Sequence, residues 1–207
     1  MIMKNIKTIL PALILIFSTA GAIAQDKSKE LKTLIVFFDG LRPDYITPEA
    51  MPNLYAFKKQ GAFGKRHHSV FPTVTRVNSS AYSTGSYPAK TGILGNTVYF
   101  PQINKVKGLN TGEASDLKRI DSATNGHLLT TTSLGEVLKA ARKHMMVFSS
   151  GSTGQALLQN HTVSGGAIVN PSMILPESFR DTVINLIGEV PKHTKPNSAQ
   201  HVWVTDA

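Results

Sequence analysis

Two short segments contain the residues whose types and spacing could do chemistry. The first, Leu34 to Tyr45, is predicted to contain a buried strand that has Asp39 at its C-terminal end. The second, Phe71 to Gly85, places Thr75 at a turn before a short predicted helix, with Asn78 one helical step later. A carboxylate at a strand end facing a hydroxyl at a helix N-terminus suits metal-assisted attack on a phosphate. The cation would hold the oxygen as alkoxide, and the helix amides would bind the anion.

Each of these residues also has a plainer structural interpretation. An Asp-Gly pair at a strand end is a common turn, and a threonine before a helix is more often an N-cap than a nucleophile. Arg42 and Asp44 are interpreted as a structural ion pair and not as catalysts. From the residues alone, the structural and catalytic roles of Asp39 and Thr75 both stay open.

The two segments resemble the nucleotide pyrophosphatase/phosphodiesterase branch of the alkaline phosphatase superfamily. That family places a metal-binding Asp at a DG step usually followed by Arg, as Asp39 and Arg42 are here. Its pattern FPT-x-T-x-x-N, followed by Thr-Gly and Pro, matches at Thr75, Asn78, Thr84-Gly85 and Pro88. The resemblance implies that Thr75 is the nucleophile and a ligand of the same cation as Asp39. It also implies that Asn78 donates hydrogen bonds to the phosphoryl oxygens in the transition state.

The activity implied by the resemblance is metal-dependent hydrolysis of phosphodiester or pyrophosphate bonds, or of phosphomonoesters. The expected substrate is a small phosphate ester and not a nucleic-acid polymer, and the expected cofactor is a divalent metal, two zinc ions in the family. The later Asp and His ligands of the family do not occur before Ala207. The chain is therefore expected to be an N-terminal fragment that is inactive alone. The alternative is a non-catalytic periplasmic binding domain or a degenerate pseudoenzyme.

One position departs from the family pattern in a way that bears on the substrate. Nucleotide pyrophosphatases commonly have an aromatic residue directly after the nucleophile, where it stacks on the base, and this chain has Arg76. We therefore predict that Arg76 binds substrate and favours a second negative group over a nucleotide base.

A different enzyme class is suggested by two short motifs. Ser115-Asp-Leu-Lys118 and Lys90-Thr-Gly92 match the S-x-x-K and K-T-G motifs of exported serine acyltransferases. In that class the S-x-x-K helix precedes the K-T-G strand, whereas here the order is reversed and the middle motif is absent. The motifs therefore do not favour that class.

The N-terminus and the composition predict an exported protein. Residues 1–24 have a basic start, an apolar run from Ile9 to Ala20 and a small-x-small site before Gln25, which is typical of a bacterial signal peptide without a stable membrane anchor. The protein would then be periplasmic or secreted. Without the two leader lysines the net charge falls from +9 to +7, which suits an anionic substrate. The chain has no cysteine, so its stability depends on the core.

The elements that must position these residues alternate between strands and helices. Lys32 to Phe38 is predicted as a central parallel strand, because it is a near-continuous apolar run. Other predicted strands are Met145 to Ser149 and Ala167 to Asn170, and predicted helices are Pro52 to Gln60, Arg76 to Thr84, Glu113 to Ile120, a helix opening at Ser133 and Pro176 to Val190. Gly61 is predicted to end the first of these helices in the left-handed conformation and Gly85 to close the second, and Ser133 and Glu136 are predicted to form a capping box. The alternation predicts an α/β fold with a mainly parallel sheet. The resemblance implies that residues 25–207 are the N-terminal part of an alkaline phosphatase-like phosphodiesterase domain, in which helices cover both faces of the sheet. The oligomeric state stays open.

Overall fold

The computed structural model describes residues 32–163 and 165–207, which divide into two units after Tyr45. The predicted signal peptide, residues 1–24, lies outside the described residues. Within the described part of the chain, no helix has both the length and the apolar character that crossing a membrane requires.

Short helices and shorter strands alternate along residues 46–207. The helices are α1 (Pro52–Gln60), α2 (Thr75–Thr84), α3 (Pro88–Thr91), α4 (Ala114–Ala123), α5 (Leu134–Ala140), α6 (Thr153–Gln159), α7 (Arg180–Ile187) and α8 (Ser198–Asp206). The strands are β1 (Thr97–Val98), β2 (Leu109–Asn110), β3 (Met146–Phe148), β4 (Ala167–Asn170) and β5 (Met173–Leu175). Single 3-10 turns form at Pro43–Tyr45, in the first unit, and at Glu177–Phe179.

The described strands form two small sheets. β1 and β2 pair antiparallel, whereas β3, β4 and β5 form a sheet in which β3 and β4 are parallel and β4 and β5 antiparallel. Val147 on β3 pairs with Ile168 on β4, and both side chains are buried. The α/β composition is therefore present, but the described residues do not confirm the mainly parallel sheet.

The predicted central strand at Lys32 to Phe38 is wrong for this structure. These residues form no strand, and Leu34 and Phe38 are 86% and 55% exposed. An apolar run is buried as a central strand only when neighbouring strands and helices cover it on both faces. The first unit has only a 3-10 turn besides this run among its described residues, so it cannot provide that cover by itself.

Several local predictions are confirmed because they depend on short-range chemistry. Ser133 accepts a hydrogen bond from the Glu136 amide and Glu136 accepts one from the Ser133 amide, so the capping box forms at the start of α5. Gly85 ends α2 with a left-handed φ of 64°. The left-handed conformation predicted for Gly61 is wrong, since its φ is −104°. Its amide nevertheless bonds to the Phe57 carbonyl and closes α1.

The main hydrophobic core fixes the position of α2. Val77 on α2 and Leu117 on α4 are completely buried in one cluster with Leu158 on α6. The Ser83 hydroxyl of α2 also donates to the Leu158 carbonyl at 2.9 Å. Because α2 is held on its inner face by apolar packing and by this buried hydrogen bond, its N-terminus has a defined position.

Candidate active site

The N-cap residue of helix α2 has no side chain that can cap the helix. Val74 is the N-cap, with extended backbone angles (φ −116°, ψ 151°), and it makes no side-chain hydrogen bond to the first turn. A valine cannot cap a helix, because it has no acceptor for the first amides. The first turn also has no acidic residue. The N-terminus of α2 therefore has the partial positive charge that favours an anion.

Thr75 is the first residue of α2 and is half-buried. If Thr75 had only a capping role, it would be the N-cap residue. Val74 is the N-cap instead, and Thr75 is the next residue, inside the helix. The Thr75 carbonyl accepts a hydrogen bond from the Ser79 hydroxyl at 2.9 Å, one turn later. Its position at the N-terminus of a well-packed helix suits a hydroxyl that must meet an anion.

Asn78 is bound to the loop that leads into α2. Its Oδ1 accepts the Val70 amide at 3.0 Å, and its Nδ2 donates to the carbonyls of Val70 at 3.5 Å and Val74 at 3.1 Å. A side-chain amide has two N–H donors, and both are directed at these backbone carbonyls. To bind a phosphoryl oxygen, as the sequence resemblance implies, Asn78 would have to release one of these bonds.

Asn96 lies at the N-terminus of α2, and the sequence did not single it out. Its Oδ1 accepts the Arg76 amide at 3.4 Å, and its carbonyl accepts both the amide and the hydroxyl of buried Thr111, at 3.0 and 2.9 Å. Within the described residues Asn96 Nδ2 makes no hydrogen bond. The only local signal for this residue is the Gly95-Asn96 turn pair, because the contact with α2 spans twenty residues.

The Arg76 guanidinium lies against the loop before α4. A Cβ on Gly112 would come 2.3 Å from Arg76 Nη2 and 3.1 Å from Cζ, so the guanidinium occupies the space beside the bare Cα. Arg76 Nε is buried and has no hydrogen-bond partner in the described part of the chain. No carboxylate there lies within 4.0 Å of this cation, since the ion pairs found are Arg42–Asp44 and Arg119–Asp116.

Asp39 belongs to the first unit, whereas Thr75, Arg76 and Asn78 belong to the second. Asp39 forms a tight turn with Gly40, which has a φ of 76°, and the Leu41 amide closes the turn on the Phe38 carbonyl at 3.2 Å.

The predicted ion pair between Arg42 and Asp44 is confirmed. It is bidentate, with Nη2–Oδ2 at 2.7 Å and Nε–Oδ1 at 3.1 Å, and it is exposed. Because both partners bind each other at the surface, the pair stabilises its own turn and offers no catalytic group.

The described residues of this chain do not complete a zinc site. In the ranges 32–163 and 165–207, no three His, Asp or Glu side chains lie close enough together to hold a metal ion. A protein-bound zinc ion takes about four ligands at short range. The predicted contributors Asp39 and Thr75 fall short of that number, so these two residues cannot hold the cation by themselves.

A half-buried titratable pair, His161 and Glu136, lies elsewhere, near the start of α5. Burial lowers the pKa of His161, and the nearby charges of Glu136 and Asp121 only partly oppose this. Its Nδ1 is buried without a hydrogen-bond partner among the described residues. Burial disfavours ionisation of Glu136, yet the hydrogen bonds from the Ser133 amide and hydroxyl and the charge of His161 together lower its pKa.

The motifs that suggested a serine acyltransferase do not form a site. Ser115 and Lys118 are exposed on α4, and Lys90 is exposed at the end of α3. Acyl transfer by a serine requires a buried or half-buried nucleophile with an adjacent base. These exposed residues do not provide that arrangement.

Comparisons with known proteins identify the family. The profile described as "Type I phosphodiesterase / nucleotide pyrophosphatase" matches residues 33–201. The chain belongs to this family. The resemblance inferred from the segments around Asp39 and Thr75 is thereby confirmed, and the family is alkaline phosphatase-like, of α/β class and metal-dependent.

The curated relatives of this family are named as hydrolases. The chain is 32% identical over 127 residues to "Venom phosphodiesterase 2" of Crotalus adamanteus, covering 60% of this chain and 15% of the relative. It is 37% identical over 79 residues to "Bis(5'-adenosyl)-triphosphatase enpp4" of Xenopus laevis, covering 38% of this chain and 18% of the relative. It is 34% identical over 83 residues to human "Ectonucleotide pyrophosphatase/phosphodiesterase family member 1", covering 39% of this chain and 9% of the relative. The chain thus spans less than a fifth of each of these relatives. No solved structure is significantly similar to it.

Proposed function

We propose that this protein hydrolyses phosphodiester or pyrophosphate bonds of small phosphate esters, with Thr75 as the nucleophile. The observation that supports this most is the position of Thr75 in a chain of the phosphodiesterase family: it is half-buried and is the first residue of a helix whose N-cap residue, Val74, makes no side-chain hydrogen bond to the first turn. A hydroxyl at that position can meet a phosphoryl group while the helix amides interact with its oxygens.

The proposed reaction has two steps at one site. Thr75 Oγ1 forms a bond to phosphorus as the bond from phosphorus to the leaving oxygen breaks, and the hydroxyl proton is released while the leaving oxygen takes up a proton. Water then cleaves the phosphothreonine, which restores the threonine hydroxyl and releases the phosphate product. Splitting one difficult displacement into two steps is the advantage of a covalent nucleophile.

Two asparagines take different parts in this proposal. Asn96 is the better placed transition-state donor, because its Oδ1 is fixed by the Arg76 amide and its Nδ2 has no hydrogen-bond partner within the described residues. Asn78 is instead a positioning residue, since its amide ties Val70 and Val74 to α2 and so fixes the loop that precedes Thr75. A preorganised donor stabilises the charge that develops on the phosphoryl oxygens.

Asp39 and Thr75 are the proposed metal ligands in this chain, with zinc as the proposed cation. Asp39 offers an exposed carboxylate on a tight turn and Thr75 a half-buried hydroxyl. The proposal names these two residues and no complete ligand set, because no three His, Asp or Glu side chains come together to hold a metal ion in the described part of the chain.

The wider architecture and location are proposed on the same basis. A mainly parallel sheet with helices on both faces would extend the β3–β4 pair, whose strand β3 has one unpaired edge within the described residues and exposes Met146 and Phe148. Export to the periplasm or medium is proposed from residues 1–24. A small phosphate ester is the proposed partner, since the chain is basic without the aromatic-interleaved stripe of a nucleic-acid surface.

Substitution of Thr75 tests the proposed nucleophile. The protein expressed from its complete reading frame would be assayed with bis(p-nitrophenyl) phosphate, as wild type, Thr75→Ala and Thr75→Ser. Thr75→Ala should remove most turnover while circular dichroism and the melting temperature stay near wild type, because Val74 and not Thr75 is the N-cap. Thr75→Ser keeps the hydroxyl and should retain part of the activity. Exposed Thr73 in the same loop provides the matched control, Thr73→Ala.

The outcomes separate the candidate functions. A folded Thr75→Ala protein with near-normal turnover would exclude Thr75 as nucleophile. A wild-type protein that binds phosphate esters without hydrolysing them would instead support the alternative of a non-catalytic binding domain.

A further inference from the structure

Arg76 has features that packing alone does not explain. It is the second residue of α2, where the helix dipole disfavours a cation and where the first turn contains no acid that could compensate. Its guanidinium is half-buried, and the buried Nε has no hydrogen-bond partner in the described part of the chain. Buried polar groups normally make hydrogen bonds. A buried arginine N–H that makes none is a donor still available to a ligand.

The polar groups of the loop beneath Arg76 are already used. The Gly112 amide donates to Asn110 Oδ1 at 2.9 Å, and its carbonyl accepts the Gly154 amide at 2.8 Å. Asp116, an acid in the first turn of the helix that follows this loop, accepts from the Asn110 amide at 2.8 Å and pairs with Arg119 at 3.0 Å. The loop therefore supports the guanidinium without neutralising it.

Glycine at position 112 is what makes room for the guanidinium. A side chain there would place its Cβ 2.3 Å from Arg76 Nη2. Helix α6 also packs closely against this loop at Gly154. A Cβ on Gly154 would come 2.1 Å from the Thr111 carbonyl oxygen, so only glycine allows this approach. The structure thus places a cation that has no counterion among the described residues beside the helix end that presents Thr75.

We propose that the Arg76 guanidinium binds a second anionic group of the substrate, a phosphate or a carboxylate separate from the phosphoryl group that Thr75 attacks. This inference rests on the proposed function and makes Arg76 the residue that selects the substrate class. A guanidinium binds either anion through two parallel N–H bonds, which an ammonium cannot reproduce.

The kinetic test compares substrates that differ only in the second anion. Bis(p-nitrophenyl) phosphate has no second anion, p-nitrophenyl 4-carboxyphenyl phosphate adds a carboxylate, and p-nitrophenyl 4-phosphonophenyl phosphate adds a phosphonate as the phosphate stand-in. Arg76→Met keeps the packing stem of the side chain and Arg76→Lys keeps its charge. In both variants KM for the substrates with a second anion should rise by about tenfold or more relative to KM for bis(p-nitrophenyl) phosphate, the scale of a lost charge-assisted hydrogen bond. The carboxylate and phosphonate substrates show which anion is preferred.

Gly112→Ala provides an independent variant, because its Cβ would displace the guanidinium without removing it. It should raise the same two KM values and leave bis(p-nitrophenyl) phosphate unaffected. An equal loss on all three substrates, or unchanged KM ratios in Arg76→Met, would mean that Arg76 is only structural and would overturn the proposal.

A binding measurement keeps the inference testable if no hydrolysis is found. Isothermal titration with inorganic pyrophosphate would be compared among wild type, Thr75→Ala and Arg76→Met, with thermal melts as the folding control. Binding that survives in Thr75→Ala and weakens by about tenfold or more in Arg76→Met supports the anion role even if the proposed hydrolysis fails. Equal binding by wild type and Arg76→Met, or no binding by wild type, would contradict it.

Discussion

Asn78 and Val70 are joined through both polar groups of the Val70 backbone, since Asn78 Oδ1 accepts the Val70 amide at 3.0 Å and Nδ2 donates to its carbonyl at 3.5 Å. The same amide also reaches the Val74 carbonyl at 3.1 Å. These bonds close the loop onto the first turn of α2. The position of Thr75 therefore depends on a side chain that lies one turn further along its own helix.

We expect Asn78→Ala to destabilise the fold as well as the activity. The substitution removes the side-chain partner of the Val70 amide and of the Val70 carbonyl in a half-buried loop, whereas the Val74 carbonyl keeps the Asn78 backbone amide at 3.1 Å. Unsatisfied groups of this kind cost about 1–3 kcal/mol. Urea unfolding measures the free energy, with exposed Asn53→Ala as control. If Asn78→Ala unfolded like wild type but lost activity, the amide would be a transition-state donor, as the family resemblance implies.

Asn96→Asp separates the two functions of the Asn96 amide. The aspartate keeps an oxygen that can accept the Arg76 amide, but it removes the Nδ2 donor. We expect turnover of bis(p-nitrophenyl) phosphate to fall by about 10²–10³-fold, the scale for loss of one transition-state donor, with the fold intact. Activity within about threefold of wild type would exclude Asn96 as that donor.

Zinc titration tests the donor set directly. Because no third His, Asp or Glu joins a cluster in the described residues, this chain should bind Zn²⁺ more weakly than about micromolar. Isothermal titration of wild type and Asp39→Ala would measure the affinity. Stoichiometric binding that is tighter than this would show that further donors come together in solution, and loss of that binding in Asp39→Ala would place Asp39 among them.

The stability of the second unit should fall on acidification through His161. Its pKa lies below the ordinary value of 6.5, so the unfolded chain binds the proton first and stability is lost as the pH falls below about 6.5 towards the folded-state pKa. Glu136, whose pKa is also lowered, adds a separate loss below about 4.5.

Urea unfolding of wild type and His161→Asn at pH 7.5, 6.0 and 5.0 would measure this dependence. Between pH 7.5 and 5.0 the free energy of unfolding should decrease less in His161→Asn than in wild type. In the control His127→Asn, at an exposed histidine, it should decrease as much as in wild type. The same decrease in His161→Asn as in wild type would show that other groups cause the acid sensitivity.

The sequence by itself was sufficient for features that depend on neighbouring residues. The capping box of Ser133 and Glu136, the left-handed Gly85 at the end of α2 and the bidentate Arg42–Asp44 pair all involve residues within a few positions of one another. Chemistry of that range is fixed by residue type and spacing. The family resemblance likewise depended on two short motifs, and the match over residues 33–201 confirmed it.

Only the tertiary structure could decide the features that depend on residues distant in sequence. The apolar run at Lys32 to Phe38 was predicted as a buried strand, but burial requires partners that local pattern does not specify, and the run is exposed. Asn96 reaches the first turn of α2 across twenty residues, and Gly112 meets Arg76 across thirty-six. The sequence thus determined the family and these local features, and it singled out Thr75 as the candidate nucleophile. Packing between distant segments decided which side-chain amide reaches the first turn of α2 and why Arg76 has no counterion among the described residues. Such contacts are chosen by the fold as a whole and not by local spacing.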